Sequence, residues 1–167
     1  INTDAVPGIY YSTSIRSSWF AGFVVVQDAY NSDTDAERRA ALDALPKNDQ
    51  QLEENIESYR RTVSRGDDRK MFDEFELELQ AYKRIRADIL EQAATGNVAQ
   101  VQARIKTELR PAFYKGRDTL AKMVAENKRQ ADESAVSIQK SVDTAEVGML
   151  VSLTLAIAAA IVCGFLL

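Results

Sequence analysis

The sequence predicts an all-α protein, an antiparallel up-down-up-down four-helix bundle continuing into a C-terminal transmembrane helix. Three observations carry that prediction. Only 7 Gly and 3 Pro interrupt 167 residues, so long helices are possible. Apolar residues recur at three- and four-residue spacing along most of the chain. The chain closes on a run free of charged residues, Val147 to Leu167. Strand signals are weak by comparison: Val24-Val25-Val26 is the only β-branched run, and no Asn-Gly or Asp-Gly hairpin turn occurs.

The first helix is expected over residues 4–30, with Ile9, Thr13, Phe20, Phe23, Gln27 and Tyr30 loosely on one stripe. Thr34-Asp35-Ala36-Glu37 has the spacing of a capping box, Thr34 receiving the Glu37 amide while Glu37 reaches back. It opens a second helix over 34–63, in which Leu42, Leu45, Leu52, Ile56, Tyr59 and Val63 share a face and Pro46 kinks or offsets the first turns. Ser64-Arg65-Gly66-Asp67-Asp68 and Ala94-Thr95-Gly96-Asn97 read as short turns. The Arg65-Gly66-Asp67 triplet matches an adhesion tripeptide, but here it supplies a turn glycine and a helix-starting acid.

A third helix over 68–94 carries the stripe Phe72, Phe75, Leu79, Tyr82, Arg86, Ile89 and Ala93. The fourth, over 97–146, carries Val98, Val101, Ile105, Leu109, Ala112, Gly116, Leu120, Met123 and Asn127. It is nearly twice as long as the third, so its lower half needs a partner. The expected one is an upstream part of the first helix, preceded by a further transmembrane segment. Residues 1–146 thus form a bundle domain and 147–167 the span, whose 21 residues match the ~20 that cross a hydrocarbon core. Asp143 and Glu146 precede it where a cytoplasmic border would be basic, which orients 1–146 outward.

Composition excludes several functions. There is no histidine, so the commonest general base and haem ligand is missing, and Cys163 sits alone in an apolar run. The 21 basic and 25 acidic residues are interspersed, with a net charge of -4, which argues against a nucleic-acid surface. Carboxylate pairs such as Asp73 with Glu76 or Glu53 with Glu57 come without a nucleophile, metal set or phosphate loop. Neither catalysis nor a cofactor is expected.

Arg86 is the residue that breaks pattern, a cation where Leu or Ile would fit, one turn from Tyr82. A buried guanidinium demands an anion. That anion is either a carboxylate of the chain, Glu108 or another, or a ligand; a guanidinium snorkelling to the bundle edge is the remaining solution. Arg104, Thr107, Arg110 and Tyr114 on the fourth helix and Arg84 on the third lie below the Thr95-Gly96 turn. Forked guanidinium groups suit a small organic anion. Arg16 on the first helix completes the candidate ligand set, and Arg86→Ala is expected to cost more ligand affinity than the ~1 kcal/mol of an ordinary hydrogen bond. Trp19, Phe20 and Phe23 suit packing or a subunit interface.

Several segments carry a family likeness: Ile1-Asn2-Thr3-Asp4-Ala5-Val6-Pro7, Pro46-Lys47-Asn48-Asp49 followed by Ile56 and Tyr59, and Leu109-Arg110-Pro111 through Leu120 and Asn127 to Gln130-Ala131. In these the chain resembles the ligand-binding region of bacterial methyl-accepting chemotaxis receptors of the four-helix-bundle type. The resemblance implies a periplasmic ligand site near the membrane-distal end. It also implies a homodimer packed through first and fourth helices, and a piston or tilt signal down the last helix to cytoplasmic partners. Arginines and tyrosines near that end look like receptors for dicarboxylates and tricarboxylates such as malate and citrate. A histidine-kinase or diguanylate-cyclase sensor with the same fold, or a membrane-anchored bundle that binds a protein partner, are the alternative readings.

Overall fold

A computed structural model describes residues 5–63, 66–93 and 98–165, with the side chains of all of these except 5, 6, 155 and 157–165. Every regular element among the described residues is helical: α1 Ala5–Asn31, α2 Asp35–Leu42, α3 Leu45–Arg60, α4 Gly66–Ala93, α5 Val98–Arg104 and α6 Arg110–Phe165, the last two joined by a π-helical turn, Ile105–Leu109. The chain runs up α1, down α2 and α3, up α4 and down α5 and α6. Around the bundle α1 packs on α3 and on α6, and α6 packs on α4. Of the expected turns at 64–68 and 94–97, residues 64–65 and 94–97 lie outside the described residues, whereas 66–68 already form the first turn of α4.

The capping box forms as the sequence predicts. The Glu37 amide donates to Thr34 Oγ1 at 3.2 Å and the Thr34 amide donates to Glu37 Oε2 at 3.2 Å. The second helix is not continuous, however. Pro46 has no amide to give the Leu42 carbonyl and its ring crowds that oxygen. The backbone therefore tightens at Asp43-Ala44, where the Ala44 amide reaches Ala41 at 3.2 Å, and the helix restarts with Asn48 donating to Ala44. Arg38, lying 5.7 Å over the Tyr30 ring, ties α2 to α1.

Proline also explains the π-helical turn. Pro111 in a regular helix would collide with the Thr107 carbonyl and leave it without a donor. Instead the Arg110 amide steps back five residues to the Ile105 carbonyl, and the extra residue in the turn relieves the clash. Val101, Ile105, Leu109 and Phe113 consequently stay on one buried face despite three successive four-residue steps. In an unbroken α-helix each such step drifts by about 40°.

An aromatic layer fills the centre. Trp19 lies fully buried between Phe113, Phe75 and Tyr82, with centroids 5.9, 5.5 and 4.5 Å away. Its indole N–H donates to the Phe113 carbonyl at 3.2 Å. Gly116 admits the ring, since a Cβ there would stand 2.6 Å from Trp19 Cζ2. Trp19 and Phe23 are core residues, whereas Phe20 is 36% exposed. A polar layer closes the lower bundle: Asn127 donates to Tyr59 Oη at 2.8 Å, and Gln130 donates to Asp68 at 3.0 Å. Burial pushes the Tyr59 hydroxyl up to about 12, although the Asn127 hydrogen bond opposes the shift.

Below this layer α6 continues alone. Its 56 residues reach about 84 Å, and side chains 135–154 are exposed. Val136, Val142, Val147 and Leu150 each leave more than half their surface in solvent, so the lower part of the fourth helix has no partner among the described residues. Among the described residues no helix is long and apolar enough to cross a membrane; the expected span at 147–167 falls mostly on side chains outside them.

Candidate functional site

The stripe position of Arg86 is buried, as α4 requires, and its anion is internal. Nη1 and Nη2 donate to Asp49 Oδ1 and Oδ2 at 2.9 and 2.6 Å, a bidentate fork across α4 and α3. The break before Pro46 positions α3 so that Asp49 faces α4. Gly22 of α1 leaves space for this arrangement: a Cβ there would lie 2.6 Å from Asn48 and 3.8 Å from Arg86 Nη1. The guanidinium also sits 5.6 Å over the Tyr82 ring. Burial pushes the Tyr82 hydroxyl up to about 12, against the opposing charge and hydrogen-bonding pull of Arg86, although no hydrogen bond of regular geometry reaches its oxygen among the described residues. Arg86 and Tyr82 are therefore together, with Asp49 as a third member.

The remaining cations and hydroxyls expected to join them are dispersed. Arg104 forks onto Glu108 of its own helix at 2.9 and 2.7 Å and donates to Gln92 of α4 at 3.0 Å. Glu108 is thus the partner of Arg104 and not of Arg86. Hydrogen bonding between the two lowers the Glu108 carboxyl and raises the Arg104 guanidinium. Thr107 turns its hydroxyl back to the Ala103 carbonyl at 2.9 Å. Tyr114 is 43% exposed and covered on one face by Arg117 at 4.5 Å. Arg84 and Arg16 are exposed on α4 and α1.

Arg110 has a different setting. It lines a cavity of about 250 Å³ between α1 and the π-helical turn, with Gln27, Tyr30, Asn31, Gln102, Ile105 and Lys106. Gln102, Lys106 and Arg110 recur every fourth residue, and Gln27, Tyr30 and Asn31 recur at three and four, so one face of each helix supplies the walls. Gln102 Nε2 donates to the Tyr30 carbonyl at 2.6 Å, closing the upper side. Neither Lys106 nor Arg110 has an ion-pair partner among the described residues, and no carboxylate lines the cavity. Two free cations surrounded by amide donors form an arrangement for a small anion.

Sequence reasoning found Arg110 but missed Lys106, Gln102, Gln27 and Asn31 as companions. The four-residue repeat of polar side chains from Gln102 was the available signal; it points the same way only because the π-helical turn rotates Arg110 toward α1. No cluster able to hold a metal ion occurs among the described residues.

The sequence model of a family described as a four helix bundle sensory module for signal transduction matches residues 1–142. No curated protein and no solved structure matches the chain.

Proposed function

The chain belongs to the four helix bundle sensory modules for signal transduction of the chemotaxis-receptor type, and from that premise we propose that it binds a small organic anion in the groove between α1 and the π-helical turn. Lys106 and Arg110 supply the charge, and Gln27, Asn31 and Gln102 supply directed hydrogen bonds to a second carboxylate or hydroxyl. A dicarboxylate or tricarboxylate of the size of malate or citrate suits a cavity of about 250 Å³. What carries the reading is a pair of cations, Lys106 in the π-helical turn and Arg110 at the start of α6, that have no ion-pair partner among the described residues.

Binding there links α1 to the top of α6. An anion held by both helices favours whichever of their relative positions it contacts better. Because α6 is continuous from Arg110 to Phe165, a shift or tilt at the groove is delivered at its far end. The reading places 1–146 in the periplasm, takes the apolar end of α6 across the inner membrane, and passes the signal to cytoplasmic partners. The exposed α1 stripe of Tyr10, Phe20 and Val24 supports a homodimer packed through that helix.

Thermal shift of the chain against malate, citrate and related acids, followed by calorimetry, tests the assignment. A true ligand at 100 times its dissociation constant raises stability by about 2.7 kcal/mol. Arg110→Ala and Lys106→Ala should each weaken binding by about tenfold or more, as loss of a charged hydrogen bond does. Unchanged affinity in both variants, or no shift with any acid, refutes the groove.

A further inference from the structure

Between a different pair of helices lies a second groove, of about 170 Å³, walled by Glu74, Leu77, Glu78 and Ala81 of α4 and by Ala112 and Lys115 of α6. Its base is Glu78. The side chain is 4% exposed, and among the described residues neither carboxylate oxygen meets a hydrogen-bond donor. Lys115 stands at the rim, 70% exposed, with Nζ 3.6 Å from Oε1, beyond hydrogen-bond reach. A carboxylate this deep normally accepts at least one hydrogen bond, because water no longer serves it. The small side chains Ala81 and Ala112 hold the space open above it, and Leu77 offers an apolar wall that is two-thirds exposed.

We infer that this groove is a binding site for a small aliphatic primary ammonium ion, whose N–H groups satisfy the buried Glu78 carboxylate. The ammonium supplies three donors and a compensating charge in one group. Its alkyl chain lies along Leu77, Ala81 and Ala112, and Glu74 adds a second negative charge at the mouth. Lys115 is the internal competitor: its exposed ammonium withdraws into solvent when the ligand enters. The site is independent of the anion groove, sharing none of its lining residues.

Calorimetric titration of the full chain with n-butylammonium chloride tests the inference, with melting curves to verify that each variant is folded. Saturable one-to-one binding is expected, weakened about tenfold or more in the isosteric Glu78→Gln, which keeps the shape and loses the charge. Lys115→Met should bind about threefold or more tightly, because the competing cation is gone. Tetramethylammonium, charged but without N–H donors, should bind about tenfold less well than butylammonium. Absence of saturable butylammonium binding, or equal binding by Glu78→Gln, overturns the site; equal or weaker binding by Lys115→Met overturns the role of Lys115 as a displaceable competitor. Citrate titrated into the same samples separates this result from the fate of the anion groove.

Discussion

Removing Asp49 should cost more than removing Arg86, although the two form one ion pair. The Arg86 side chain is 9% exposed and that of Asp49 is 30% exposed, so water can solvate the carboxylate but hardly the guanidinium. Asp49→Ala leaves a buried cation with no anion, a situation worth about 3–5 kcal/mol when burial is complete. Solvent entry through the vacated Asp49 position reduces this to about 2–3 kcal/mol. Arg86→Met keeps the packed stem and strands only a partly solvated carboxylate, for about 1–2 kcal/mol. In a chain of this size each kcal/mol moves the thermal midpoint by roughly 2–4 °C. The double variant should melt near Arg86→Met, giving a coupling of about 2–3 kcal/mol, the whole cost of Asp49→Ala alone. Far-UV circular dichroism melts of the four proteins measure it. Additive losses, with coupling under about 0.5 kcal/mol, would refute the bidentate contact as an energetic unit.

Gly116→Val should destabilise by about 3 kcal/mol or more, because the rigid Trp19 ring cannot leave the position a Cβ would take; rescue by Trp19→Leu, which vacates that volume, is the diagnostic in a melting series. At alkaline pH the buried phenols predict a loss of stability. Tyr59 and Tyr82 are raised from 10.0 to about 12, so the unfolded chain releases their protons first and stability falls between pH 10 and 12. Tyr59→Phe and Tyr82→Phe should each flatten that fall when melting midpoints are compared across the interval. Tyr82→Phe should cost less than about 1 kcal/mol at pH 7, since no hydrogen bond of regular geometry is lost with its hydroxyl among the described residues. Pro111→Ala restores an amide for the Thr107 carbonyl; the π-helical turn should regularise, the melting midpoint rise, and Arg110 swing off the groove, weakening organic-acid binding in calorimetry.

The sequence alone determined which faces of α3 and α4 are buried, but not of α1, where Thr13 and Phe20 of the expected stripe are exposed and Ile15, Trp19 and Val26 form the core. Apolar spacing of three and four is a local property, and the stripes through Leu52, Ile56 and Tyr59 and through Phe72, Phe75, Leu79 and Tyr82 are buried as that spacing requires. The capping box at Thr34 was equally legible, because both of its bonds are made within four residues. Two prolines were visible, but their consequences depended on neighbours: Pro46 splits a helix in two, and Pro111 is absorbed by a wider turn. Charge pairing was the least legible feature. Arg86 announced a need for an anion, yet its partner lies 37 residues away on another helix. The choice of Asp49 over Glu108 follows from the rotation of α3 after its break. Only the assembled bundle decides which cations are spent internally, as Arg86 and Arg104 are, and which stay without an ion-pair partner among the described residues, as Lys106 and Arg110 do. Helical periodicity is encoded in consecutive residues, whereas the company a charged side chain keeps is fixed by the distances between helices.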